Sequence, residues 1–172
     1  MQKTILKYGL ISGGITAALM LCSALFLWND PGNFENSEIF GYASILLSML
    51  FVFLGVRAYR DQVADGLISF GKAFQVGLLI CLISCAIYVI TWMIIYHTMF
   101  PDFMDQFVDY SLKKLRESGA TAEEITKQTE QFEYYKELYK NPLVAAGITF
   151  LEPLPVGLVV TLASAGILRR QA

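Results

Sequence analysis

The stretch AFQVGLLICLISCAIYVITWMIIYHTMFP, Ala73–Pro101, contains no Lys, Arg, Asp or Glu, and it holds the sequence's one histidine, His97. About 20 consecutive apolar residues in a helix, rising ~1.5 Å each, cross the hydrocarbon core of a bilayer. In lipid there is no water to satisfy backbone amides, so a spanning segment of this kind must be a helix. The stretch therefore predicts a membrane helix with length to spare.

Working outward, three further apolar segments flank it. The expected spans are about 8–28, 39–56, 74–96 and 146–168, the last within Pro142–Leu168. Between the first two lies NDPGNFENSE, read as a turn from Pro31 and Gly32, with no basic residue. Between the second and third lies RAYRDQVADGLISFGK, carrying Arg57, Arg60 and Lys72. Lys3, Lys7, Arg57, Arg60, Lys72, Arg169 and Arg170 all fall on one side of a four-span layout. Basic residues in short loops resist translocation, so both termini are expected in the cytoplasm. The long hydrophilic segment 101–141 is then expected outside.

Composition agrees with a single membrane domain over 1–172. Of 172 residues, 55% are apolar and 16% charged, against about 25% charged in soluble domains. A net charge of −2 gives no basic field, so nucleic acid is not an expected partner. Cys22, Cys81 and Cys85 all sit in apolar stretches, and their odd number argues against a disulfide framework. Lys3 and Lys7 precede an apolar run, as in a signal peptide, but the run continues through Leu25–Trp28. Leu21 also stands where a lipoprotein cleavage box needs a small residue. The segment is read as a retained span that directs insertion.

The 101–141 segment reads as a helical hairpin rather than a linker. Phe103, Phe107, Val108, Leu112 and Leu115 recur at helical spacing until Ser118-Gly119 breaks the pattern. Thr121 followed by Glu124 is a capping box for a second helix, with Ile125, Phe132, Tyr135 and Tyr139 on one face. Asn141-Pro142 ends it and can begin the fourth span, Asn as cap and Pro at the first helical position. The apolar faces should meet each other or lie on the outer bilayer surface. The expected fold is all-α: an integral membrane four-helix bundle with an extracytoplasmic hairpin between spans 3 and 4.

Few residues suggest chemistry. Glu152, in FLEPLPVG, is the one carboxylate within a membrane segment. A charge there is costly, which makes it a candidate ion or proton site. Pro153 and Pro155 remove backbone donors beside it and should kink the helix. The alternative is structural: if the membrane portion is Ile148–Leu168, Glu152 lies one turn from the surface. Arg57, Arg60 and Lys72 are candidate contacts for lipid phosphates or a partner, although positive-inside anchoring alone explains them. Gly9 and Gly13, and Gly157 with Thr161 and Ala165, have the four-residue spacing that lets helix backbones approach closely. That spacing leaves open whether the partner helix belongs to the same chain. His97 has no companion ligand, and its Tyr96 and Trp92 neighbours point to interfacial anchoring.

GxxxxGK[ST], HExxH, GxSxG and CxxC are all missing from the sequence. No metal, no cofactor and no enzymatic activity are expected.

KYGLISGGI in the first span, GVRAYRD after the second and GLISFGKAFQVGL opening the third, followed by FPDF, GATAEEI, KNP and a terminal ILRR, resemble in order and spacing the bacterial membrane family of unknown function DUF4199. The resemblance covers nearly the whole chain. It implies four spans and a place in the bacterial inner membrane, and it carries over no catalytic residues. The expected role is a non-catalytic structural, self-associating or accessory subunit, with membrane lipids and a second copy or another protein as partners. The alternative is a small oligomeric transporter or ion or proton carrier using Glu152.

Overall fold

The computed structural model describes residues 1–29 and 34–170, so the turn expected at Asp30, Pro31 and Gly32 lies outside the described residues. Among the described residues seven helices follow in order: α1 Gln2–Asn29, α2 Phe34–Val63, α3 Phe70–Thr98, α4 Phe103–Glu117, α5 Ala122–Tyr139, α6 Pro142–Leu151 and α7 Pro153–Leu168. Four stretches are long and apolar enough to cross a membrane: Gln2–Leu27, Glu38–Val63, Phe70–Thr98 and Pro142–Leu168. The fourth comprises α6 and α7, broken at Glu152. The chain is an all-α membrane protein with four such helices and a helical hairpin between the third and fourth.

Two helices run past their expected limits. α2 begins at Phe34, so Phe34–Glu38, expected in the turn, are its first residues. At its other end α2 continues through Arg57 and Arg60 to Val63, where an Arg57–Asp61 pair at 3.6 Å spans one turn. The connection to α3 is correspondingly short. It turns at Asp65 and Gly66, whose φ of 49° and 80° place both in the left-handed region, where glycine carries no steric penalty. Ser69 then caps α3 by accepting from the Lys72 amide.

α3 is the central helix and packs against α1, α2, α6 and α7. Lipid gives little hydrophobic drive for helix association, so close approach and polar contacts must supply it. Gly9 and Gly13 bring α1 onto Ile83 and Ile87 of α3, and Gly157 brings α7 onto Cys81 of α3 and Met49 of α2. A Cβ at any of the three would collide with those side chains. Ser12 Oγ donates to the Ser48 carbonyl at 2.8 Å and lies 3.0 Å from Ser84 Oγ, joining α1, α2 and α3 through fully buried hydroxyls.

The two ends of the bundle differ. At the end holding the chain termini, Ile68 and Arg170 exchange two backbone hydrogen bonds of 2.9 Å, tying the α2–α3 connection to the end of α7. Ile5, Ile68 and Leu168 share the core there. At the other end α4 and α5 form the hairpin. Ser118 and Gly119 separate them, with Gly119 at φ 82°. The capping box at Thr121 and Glu124 is complete, and Asn141 caps α6 with Pro142 in its first turn.

The hairpin's apolar faces meet at Phe107 and Phe132, but they also close over the bundle. Phe34 lies against Phe103, Phe107 and Tyr110, and Trp92 stacks edge-on to Phe103 at 5.0 Å. The aromatic rows were expected to face each other or a bilayer surface. The ends of α2 and α3 offer rings of their own, and these edge-to-face contacts hold the hairpin as a roof.

Candidate functional site

The break in the fourth span follows from its sequence. Pro153 and Pro155 have no amide hydrogen, so two helical hydrogen bonds are lost just after Glu152. The Glu152 amide bonds back only three residues, to the Thr149 carbonyl at 3.3 Å. Glu152 lies ten residues beyond Pro142, about 15 Å along a helix at ~1.5 Å per residue. Past the break α7 packs on α2 and α3, whereas α6 packs on α3 and α5.

A cavity of about 410 Å³ occupies the hairpin half of the bundle. α1 contributes Thr16, Met20 and Ala24, and α2 contributes Phe34, Glu38, Gly41 and Tyr42. α3 gives Tyr88 and Trp92, the hairpin gives Phe103, Phe107, Phe132, Tyr135 and Tyr139, and Glu152 stands at the helix break. The volume is in the ~300–1,000 Å³ range typical of small-molecule sites, which combine apolar walls with a few placed polar groups.

Glu152 is an exposed residue that lines this cavity. Tyr88 Oη donates to its Oε2 at 2.6 Å, and Tyr88 is the one hydrogen-bond donor to this carboxylate among the described residues. Above it, Tyr139 lies 3.4 Å from Thr149 Oγ1 and 5.9 Å, ring to ring, from Tyr96. Burial pushes the Tyr139 hydroxyl above its ordinary range, with the nearby Glu152 carboxylate adding to the effect, so it stays a neutral donor. Trp92 spans the wall between this group and Phe103.

The other sequence candidates lie elsewhere. Arg57 and Arg60 sit at the far end of α2 and share Asp61, at 3.6 and 2.6 Å. Lys72 Nζ donates to Gln75 at 3.1 Å. Gly9, Gly13 and Gly157 face helices of the same chain, as described above. His97 Nδ1 lies 2.8 Å from the Met93 carbonyl, with its ring edge-on to Tyr96. Cys81 and Cys85 have their sulfurs 3.9 Å apart in the buried core, and both are free thiols. Among the described residues no three His, Cys, Asp or Glu side chains converge as a metal site.

Tyr42, Tyr88 and Glu38 were not singled out in the sequence, and Tyr139 was read there only as part of the apolar face of the hairpin's second helix. Tyr88 carried a usable signal. A phenol midway along an uncharged span, away from the interfacial belts, needs a hydrogen-bond partner.

Fold and site together define a four-helix membrane protein whose hairpin roofs an aromatic cavity with a carboxylate at its base. The chain belongs to the family described as protein of unknown function (DUF4199), whose model matches residues 7–170. No curated protein and no solved structure matches the chain.

Proposed function

We propose that the protein is a non-catalytic, multi-pass accessory protein of the bacterial inner membrane that holds an amphiphilic ligand in its roofed cavity. The observation that carries this reading is the cavity itself. It has an apolar aromatic wall, a volume of about 410 Å³, and Glu152 facing inward at a helix break. Both chain ends are assigned to the cytoplasm and the hairpin to the outer side. Lys3, Lys7, Arg57, Arg60, Lys72, Arg169 and Arg170 gather at the end opposite the hairpin, as the positive-inside bias requires. The cavity then opens in the outer half of the bilayer.

Association with another subunit uses the exposed apolar faces rather than the small-residue rows. Gly9, Gly13 and Gly157 are occupied within the chain, whereas Leu6, Leu10, Leu25 and Phe26 of α1 are exposed. Lipids cover those faces where no partner does.

The test is ligand binding to purified protein in lipid nanodiscs, read from Trp92 after Trp28→Phe. Saturable binding of a short-chain amphiphile, weakened when Gly41→Leu fills the cavity, supports the reading. Gly41 has open space around a new Cβ, so the substitution is tolerated. Absence of any saturable binding overturns it.

A carrier reading has its own observation, the break of the fourth span at an ionisable residue. It requires proteoliposome flux of protons or ions that Glu152→Gln abolishes. Flux unchanged by that substitution removes the carrier reading.

A further inference from the structure

The charge of the cavity is one-sided. Glu38 and Glu152 are its two charged lining side chains among the described residues, and none of those residues is Lys, Arg or His. Carboxylates facing an apolar space are costly unless a partner neutralises them. Tyr88 supplies one hydrogen bond to Oε2 of Glu152, and the described lining residues supply no countercharge.

Size and wall chemistry narrow the countercharge further. A bare divalent ion needs six or more oxygens at about 2.0–2.6 Å, and no such cluster is present among the described residues. The cavity, at about 410 Å³, suits an organic molecule instead. Tyr42, Tyr88 and Trp92 present aromatic rings around it, and the negative face of an aromatic ring attracts ammonium groups.

Building on the cavity-binding reading above, we propose that the occupant is an amphipathic organic cation, its ammonium group against Glu152 and its apolar body against Trp92 and the hairpin rings. The same chemistry can come from a free amine with an apolar tail or from an ammonium-bearing lipid headgroup. Neutral amphiphiles gain only the wall contacts. Anionic ones meet two carboxylates and are excluded.

The test uses three probes with one tail and different heads: hexyltrimethylammonium, hexanol and hexyl sulfate. Each is titrated into Trp28→Phe protein in nanodiscs of an uncharged galactolipid, which contains no ammonium, and Trp92 fluorescence is followed. The cation should bind at least about tenfold tighter than hexanol, a ratio that corresponds to ~1.4 kcal/mol, with hexyl sulfate weakest. Glu152→Gln preserves side-chain shape and an acceptor for Tyr88. It should bring the cation to within about twofold of hexanol. Hexanol should bind Glu152→Gln as it binds the parent protein, so misfolding, which would weaken both probes, is distinguishable from loss of charge.

Adding phosphatidylethanolamine to the discs separates the two sources. Displacement of hexyltrimethylammonium identifies the lipid headgroup as occupant, and no displacement identifies a free amine. Equal binding of all three probes, unaltered by Glu152→Gln, overturns the cation assignment and leaves the cavity as a ligand site. No binding of any probe overturns both.

Discussion

Tyr88 and Glu152 stand 64 residues apart in the chain and are joined by a 2.6 Å hydrogen bond between the middle of the third span and the break in the fourth. The bond ties α3 to the point where the prolines separate α6 from α7. It also holds one carboxylate oxygen of this cavity-lining residue against α3. A double-mutant cycle of Tyr88→Phe and Glu152→Ala, each of which removes the hydrogen bond, measured by unfolding in mixed micelles, should show coupling of about 0.6 kcal/mol, the mean for side-chain hydrogen bonds in membrane bundles, and no more than ~1.7 kcal/mol. Strictly additive effects would show that the two groups do not interact.

Helix approach gives a second expectation. Gly157 faces the Cys81 sulfur so closely that an added methyl has no room, whereas Gly14 has open space. Gly157→Ala should destabilise the bundle by about 1–3 kcal/mol through overpacking. Gly14→Ala should be neutral or stabilising by up to ~1 kcal/mol, since alanine is the better helix former. Cys81→Ala in the Gly157→Ala background should recover most of the loss. Equal effects at the two glycines would contradict the packing described.

The hairpin should loosen in acid. The Thr121 amide donates to Glu124 Oε2 at 2.8 Å, and this contact, with the Thr121 hydroxyl, holds the Glu124 carboxyl below its ordinary value of 4.5. A carboxylate whose folded-state pKa is lowered contributes fully above the unfolded-state value. Its contribution fades as pH falls through the lower folded value. Amide-exchange protection at the start of α5 should therefore decline below the ordinary glutamate range, and Glu124→Ala should flatten that pH profile. A wild-type profile already flat across that interval would rule the capping contribution out.

What the sequence disclosed depended on how local each signal was. Ala73–Pro101 declared itself a membrane helix because every residue in it reports the same solvent. Thr121 with Glu124, and Asn141 with Pro142, declared helix starts because a cap is settled within a few residues. The start of α2 was hidden because Pro31-Gly32 read as a turn reaching to Glu38, while the helix already begins at Phe34. Glu152 stood out as a lone carboxylate, but its surroundings did not. Tyr42, Tyr88 and Tyr139 come from three different helices, and nothing in their spacing says that those helices meet. Gly9, Gly13 and Gly157 showed that backbones approach closely, but spacing alone does not name the partner helix.

The most direct test of the central claim is the accessibility of position 152 in native membranes. In a background of Cys22→Ala, Cys81→Ala and Cys85→Ala, Glu152→Cys and Val159→Cys are compared for reaction with a small, trimethylammonium-bearing methanethiosulfonate. Val159 is exposed on α7 without lining the cavity. If Glu152 faces a roofed, water-reachable cavity, position 152 reacts readily and position 159 does not. Position 152 as inert as position 159 would contradict the account.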